Sequence, residues 1–157
     1  MTGPVALRPA RAEDREALLR LLEATFHSTW EPQLTQEAKA AFRASTRVAD
    51  YVDGCWQQFT VAESAGQVVG MVHWQGDFIG ALHVDPHEAR RGIGSALLGH
   101  AESAMRAGGV RFAQLETDTF NRPARDFYAA HGYAEAAQYP DEEWKSGLTT
   151  VLMVKAL

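Results

Sequence analysis

The sequence predicts a mixed α/β protein in which helices pack on the faces of one sheet. Three observations carry this. Leu18, Leu22 and Phe26 recur every four residues, the spacing of one helix face. Gln58 to Val84 holds three strand-like runs separated by Ala65-Gly66 and Gly76-Asp77, a meander pattern. Helical and strand-like stretches then alternate to the end of the chain.

Taken in order, Val5 to Arg8 reads as a short first strand stopped by Pro9. Glu13-Asp14 opens a helix, with acids where its N-terminus favours them, and Pro32 breaks the chain. Thr35 caps a second helix carrying Ala38, Ala41 and Phe42. Ser45 to Trp56 is read as further helix and loop. Gln58–Glu63, Val68–Trp74 and Phe78–Val84 are the meander strands, the last stopped by Asp85-Pro86. Ile93, Ala96, Leu97, His100, Ala101 and Ala104 mark a helix that ends before Gly108-Gly109. Phe112–Thr117 is a strand and Pro123–Ala130 a helix closed by His131-Gly132. Tyr133–Tyr139 and Thr149–Ala156 are two closing strands.

With 157 residues the chain is read as one domain, 1–157, long enough for one core. No repeat or linker divides it. Hydrophobic residues make up 46%, and no apolar run approaches the ~20 residues of a membrane span. The N-terminus lacks the basic and apolar pattern of a secretory signal. Cys55 is the single cysteine and fits a reducing compartment. A cytoplasmic location without membrane attachment is expected. The net charge of −5 argues against a nucleic-acid partner, and no metal site is expected.

The candidate binding feature is Arg90-Arg91-Gly92-Ile93-Gly94-Ser95, between a strand ending at Val84 and the following helix. A helix N-terminus offers unpaired N–H groups and the positive end of the macrodipole. Glycines admit a phosphate close to the backbone. Taken alone, the stretch serves equally well as a plain turn before a helix with arginines facing water. A triphosphate loop is excluded, since Gly-x-x-x-x-Gly-Lys is absent, and Leu97 stands where a dinucleotide fingerprint wants Gly or Ala.

Here the sequence resembles the GNAT acyltransferase superfamily, whose motif Gln/Arg-x-x-Gly-x-Gly/Ala follows its fourth strand. This chain has Ala89-Arg90-Arg91-Gly92-Ile93-Gly94, with Ala89 in place of Gln or Arg, and Leu82-His83-Val84-Asp85-Pro86 matches the preceding strand end. A second segment, Asn121-Arg122-Pro123-Ala124-Arg125-Asp126-Phe127-Tyr128-Ala129-Ala130-His131-Gly132-Tyr133, resembles the family's Asn-x-x-Ala-x-x-Phe-Tyr-x-x-x-Gly-Phe/Tyr at every fixed position. The specific motifs run from Leu82 to Gly132; the first sixty residues agree only in outline.

The resemblance implies a GNAT-like fold, with a largely antiparallel central sheet and helices on both faces. It implies an acetyl-CoA-dependent N-acetyltransferase acting on a primary amine of a small molecule or peptide by direct attack in a ternary complex. A non-catalytic CoA-binding or regulatory domain, and a transferase using another acyl-CoA, are the alternatives. Homodimers are common in the family, and the residues do not decide this point. Carried over by position, the turn Arg90 to Ser95 holds the pyrophosphate of acetyl-CoA. The backbone of Leu82, His83 and Val84 pairs with the pantetheine arm, and Asn121 bonds it from the other side. The Val84 N–H becomes the oxyanion donor and Tyr128 the group serving the departing thiolate. Arg125 is expected to be solvated.

A phenol of pKa ~10 facing a thiol of ~8.5 makes Tyr128 a hydrogen-bond donor as much as an acid. Glu116 is assigned as the general base, with His83 and His73 as alternatives; Phe78 occupies the position where other branches place a glutamate. At pH 7 about one lysine amine in 2500 is neutral, against roughly one α-amine in ten, so a site without a strong base favours amines of low pKa. On the acceptor side the resemblance gathers Phe26, His27, Trp30, Trp56, Trp74, Tyr139 and Trp144 with Glu31, Asp141, Glu142 and Glu143. Such a wall would suit a cationic amine; taken residue by residue, core aromatics and a solvated acidic loop are the more common use of these types.

Overall fold

The computed structural model describes residues 3–142 and 146–157. Seven strands form one sheet in the order β1-β2-β3-β4-β5-β7-β6. They are β1 Val5–Pro9, β2 Phe59–Ser64, β3 Gln67–Gln75, β4 Phe78–Val84, β5 Phe112–Asp118, β6 Ala134–Pro140 and β7 Thr149–Ala156. The helices are α1 Arg15–Thr25, α2 Gln36–Ala44, α3 Arg47–Cys55, α4 Ile93–Ala107 and α5 Arg122–Ala130. The mixed α/β class is as expected, with α3 formed in the stretch read as helix and loop. The described residues fall into two compact units, one within 3–74 and 81–101 and the other within 75–80, 102–142 and 146–157.

In the first unit β1 pairs antiparallel with β2, and β2 with β3. Leu18, Leu21 and Leu22 of α1 and Val52 of α3 bury against Phe59, Val61 and Met71. Strand alternation sends Met71 to that face and Gly70 to the other. A Cβ on Gly70 would lie 3.0 Å from the His83 carbonyl oxygen, 3.0 Å from Leu97 Cδ1 and 3.1 Å from Ile93 Cγ2. The first turns of α4 therefore press on β3 where a side chain is missing. Helices thus cover both faces of this part of the sheet. Arg8 of β1 bonds both Asp14 oxygens (2.8 and 2.9 Å) and Glu63, which fixes the entry to α1. Thr35 caps α2 by accepting from the Ala38 N–H at 3.1 Å.

The helix α1 does not stop cleanly. It continues through a π turn over Phe26–Trp30 and a 3-10 turn over Glu31–Gln33 that holds Pro32. The proline ends the helical run as the sequence predicts, but only after this wider turn.

In the second unit β4 pairs parallel with β5 at Phe78↔Gln114 and Ile79↔Leu115. β5 and β6 flank β7, both antiparallel to it. Asn121 caps α5, accepting from the Ala124 N–H at 3.2 Å, and Gly132 closes the segment with φ of +94°. The buried carboxylate of Glu102 takes two bonds from Lys155 (3.0 and 3.1 Å) and one from the Tyr133 hydroxyl (2.8 Å). Among the described residues no helix is long and apolar enough to cross a membrane.

Two substitutions test these packing arrangements by urea denaturation. Gly70→Ala is expected to cost about 1–3 kcal/mol, because the new methyl meets backbone as well as two packed side chains. Lys155→Met strands the Glu102 charge and is expected to cost about 3–5 kcal/mol.

Candidate active site

The turn before α4 is built from backbone in unusual conformations. Asp85 caps a 3-10 turn over Pro86–Glu88, its Oδ1 accepting from the His87 N–H at 2.9 Å. Arg90 then has φ of +66° and Gly92 φ of +76°, both left-handed. The Gly92 carbonyl accepts from the Ala96 N–H at 3.0 Å and starts α4. The N–H groups of Ile93 and Gly94 lie ahead of that first bond and have no intrahelical acceptor. Left-handed residues alternating with ordinary ones aim successive N–H groups to one side, the geometry of an anion nest.

The two arginines differ. Arg90 is exposed and has no partner among the described residues. Arg91 is largely covered, and its guanidinium bonds Glu88 (2.6 Å), the Gly3 carbonyl (2.5 Å) and Ser64 (3.2 Å). This corrects the expectation that both offer their charge to a ligand: Arg91 ties the turn to neighbouring chain, leaving only its backbone to the nest. Arg125 also departs from expectation. It remains partly exposed, yet it forms a two-point pair with Glu135 (2.9 and 2.8 Å) and donates to the Thr119 carbonyl at 2.7 Å.

Just past β4, the Asp85 N–H donates to the Val69 carbonyl of β3 at 2.9 Å. Antiparallel pairing alternates, so the N–H and C=O of Val84 and Leu82 point away from β3. Both residues lie beyond the Phe78 and Ile79 register shared with β5.

The two candidate histidines are distinct. His73 is buried and bonded at both ring nitrogens, Nδ1 to the Tyr51 hydroxyl at 2.6 Å and Nε2 to Gln58 at 2.7 Å. Burial also pushes its pKa down, so His73 is removed as a base. Among the described residues His83 bonds only through Nδ1, to Thr25 Oγ1 at 3.0 Å, and the Trp30 ring sits 6.1 Å away, tilted. Burial pushes the His83 pKa down to about 4.

Tyr128 lies on α5 with its ring buried beside Phe127 and Tyr133. Burial pushes its pKa up to about 12. Its hydroxyl has no hydrogen-bond partner among the described residues. No buried side-chain oxygen or nitrogen there is left unsatisfied, so solvent reaches the hydroxyl at the end of the buried ring. The capping bond uses Asn121 Oδ1 and leaves its Nδ2 hydrogens as donors. Glu116 is exposed on β5, and Tyr139, near it, has its pKa raised by burial and by that carboxylate.

Within the first unit, the described aromatic residues do not form one wall. Phe26 stacks on Phe42 at 3.7 Å with the Arg43 guanidinium over its ring, and Arg43 pairs with Glu23 and Glu31. The Glu31 charge is therefore already matched. Trp74 packs on His100 of α4, on the sheet face opposite α1, and Trp56 packs against the α1 core. Trp144 and Glu143 lie outside the described residues. Thr25 is absent from the sequence reading, yet it interrupts the stripe Leu18, Leu21, Leu22 with a hydroxyl. A polar residue on a buried helix face was the signal that could have found it.

A model of the acetyltransferase (GNAT) family matches residues 15–133. A blasticidin-S acetyltransferase of Streptomyces morookaense is 40% identical over 96 residues, covering 60% of this chain and 68% of that protein. Among solved structures, a GCN5-related N-acetyltransferase of Rhodopseudomonas palustris has a TM-score of 0.76 at 23% identity, covering 100% of this chain and 98% of that one. The PaiA N-acetyltransferase of Thermoplasma acidophilum, solved with coenzyme A, has a TM-score of 0.75 at 17% identity, covering 98% and 99%. These two likenesses establish the fold, while the family match and the Streptomyces relative establish membership. The chain belongs to the GNAT acetyltransferase family and is an N-acetyltransferase.

Proposed function

We propose that the 157 residues act as a single domain that moves an acetyl group from acetyl-CoA to a primary amine by direct attack in a ternary complex. A small-molecule amine is favoured over a peptide, because the Streptomyces relative acts on blasticidin S. The observation that carries the reading is the Tyr128 hydroxyl, buried in its ring, unpartnered at its oxygen and set in the Asn121–Tyr133 segment.

In the proposed reaction the amine lone pair attacks the thioester carbonyl. The N–H of Val84 receives the developing oxyanion, and the outward backbone of Leu82 to Val84 takes the pantetheine as an added strand. The N–H groups from Gly92 to Ser95 hold the pyrophosphate, with Arg90 as the nearby cation and Asn121 Nδ2 donating to the pantetheine. As the C–S bond breaks, the thiolate accepts a hydrogen bond from Tyr128. A phenol at about 12 keeps its proton against a thiol of ~8.5. Tyr128 therefore stabilises the leaving group, and the proton that ends on sulfur comes from the ammonium formed on the acceptor. Glu116, exposed on β5, is the proposed relay for that proton.

Thiol release measured with acetyl-, succinyl- and malonyl-CoA against a panel of amines tests the assignment. Turnover should be largest with acetyl-CoA and a small amine; no thiol release with any amine would overturn it. Tyr128→Phe is expected to lower kcat on the order of 10²-fold with acetyl-CoA affinity unchanged. The wild-type kcat should show no falling limb from this tyrosine below pH 10, because the group keeps its proton until about 12. Titration calorimetry separates the residues of the turn. Gly92→Glu should abolish acetyl-CoA binding, Arg90→Ala should weaken it, and Arg91→Ala should lower Tm more than affinity. Equal binding by the Gly92 and Arg90 variants would move the site elsewhere.

A further inference from the structure

We propose that His83 accepts a hydrogen bond from the acceptor amine through Nε2, and that Thr25 is the positioning residue that reserves this nitrogen for it. The inference rests on the acetyl-transfer reading above and assigns a residue to the acceptor side.

The Thr25 hydroxyl lies 3.1 Å from the Leu22 carbonyl and 3.0 Å from His83 Nδ1. A helical threonine habitually donates to a carbonyl one turn back. A hydroxyl has one hydrogen. Once it is given to Leu22, the oxygen can only accept, so Nδ1 must carry the ring proton. The neutral ring then presents a bare lone pair at Nε2. That nitrogen has no protein partner among the described residues, and no buried side-chain nitrogen there is unsatisfied, so solvent reaches it.

Three further features suit the proposed task. His83 immediately precedes Val84, so the imidazole and the proposed oxyanion donor sit on consecutive residues. The π turn Phe26–Trp30, a distortion that recurs at functional sites, begins directly after Thr25 and brings the Trp30 ring beside the imidazole. Burial keeps the ring neutral at neutral pH, with a pKa near 4. An imidazole that weakly basic does not hold the amine's proton through turnover. It holds an N–H in place, and it adds no positive charge against an arriving ammonium group. The division of labour is then orientation by His83 and proton relay by Glu116.

The test begins with the unmodified enzyme. Long-range proton–nitrogen spectra of the histidine rings, assigned with His83→Asn, should show Nδ1 protonated and Nε2 bare. Thr25→Val keeps the shape and removes the acceptor of the Nδ1 proton. It should shift the tautomer signal and raise the KM for the amine about five- to tenfold, the worth of one ordinary hydrogen bond, with the KM for acetyl-CoA within about twofold. Thr25→Ser should restore both. A wild-type ring protonated at Nε2 would overturn the proposal, as would amine kinetics left unchanged by Thr25→Val. Should Thr25→Val not fold, the wild-type tautomer and the amine KM of His83→Asn decide. Full wild-type turnover alongside a failed Thr25 or tautomer result overturns this inference alone, whereas absence of thiol release overturns the acetyl-transfer reading beneath it.

Discussion

A missing side chain at Gly70 is the constraint on which much of the first unit depends. The His83 carbonyl, Leu97 and Ile93 all stand within 3.1 Å of where its Cβ would be. That contact lets α4 begin directly against β3, so the glycine turn ahead of it is carried at a fixed height over the strand. It also sets the His83 carbonyl close against β3. The geometry proposed to bind the acyl donor thus follows from close packing in the sheet rather than from the loop residues alone.

Charge is used for architecture and neutrality for the proposed chemistry. Arg8, Arg43, Arg91 and Arg125 are all tied to carboxylates or carbonyls of their own chain. The groups assigned to the reaction are mostly uncharged: backbone N–H groups of the turn and of β4, a phenol pushed up to about 12 and an imidazole pushed down to about 4. Fixed dipoles of this kind need little reorganisation when charge develops on a carbonyl oxygen or a sulfur. Burial is the common cause, since it disfavours the charged form of either group.

Secondary structure was legible wherever a short pattern was self-sufficient. Phe78–Val84 matches the observed strand, and Thr35 caps α2 because its hydroxyl meets a neighbouring N–H whatever the rest of the chain does. The stretch from Ser45 to Trp56 was less clear, since α3 gains its fixed place from Val52 packing under α1. The π turn was invisible: one extra residue per turn leaves no periodic mark over five residues.

By itself the sequence determined the fold class, the family, the glycine turn and the placement of Tyr128 on a capped helix. These depend on spacing and residue type within a few turns of chain. The tertiary structure decided how the charged and polar side chains are used. It sent Arg91 to Glu88, Gly3 and Ser64, Arg125 to Glu135, and His73 to Tyr51 and Gln58, and it set His83 Nδ1 against the Thr25 hydroxyl. The physical reason is that a long polar side chain bonds whatever partner folding brings within about 3 Å. Many of those partners lie tens of residues away in the chain, where no local pattern can name them.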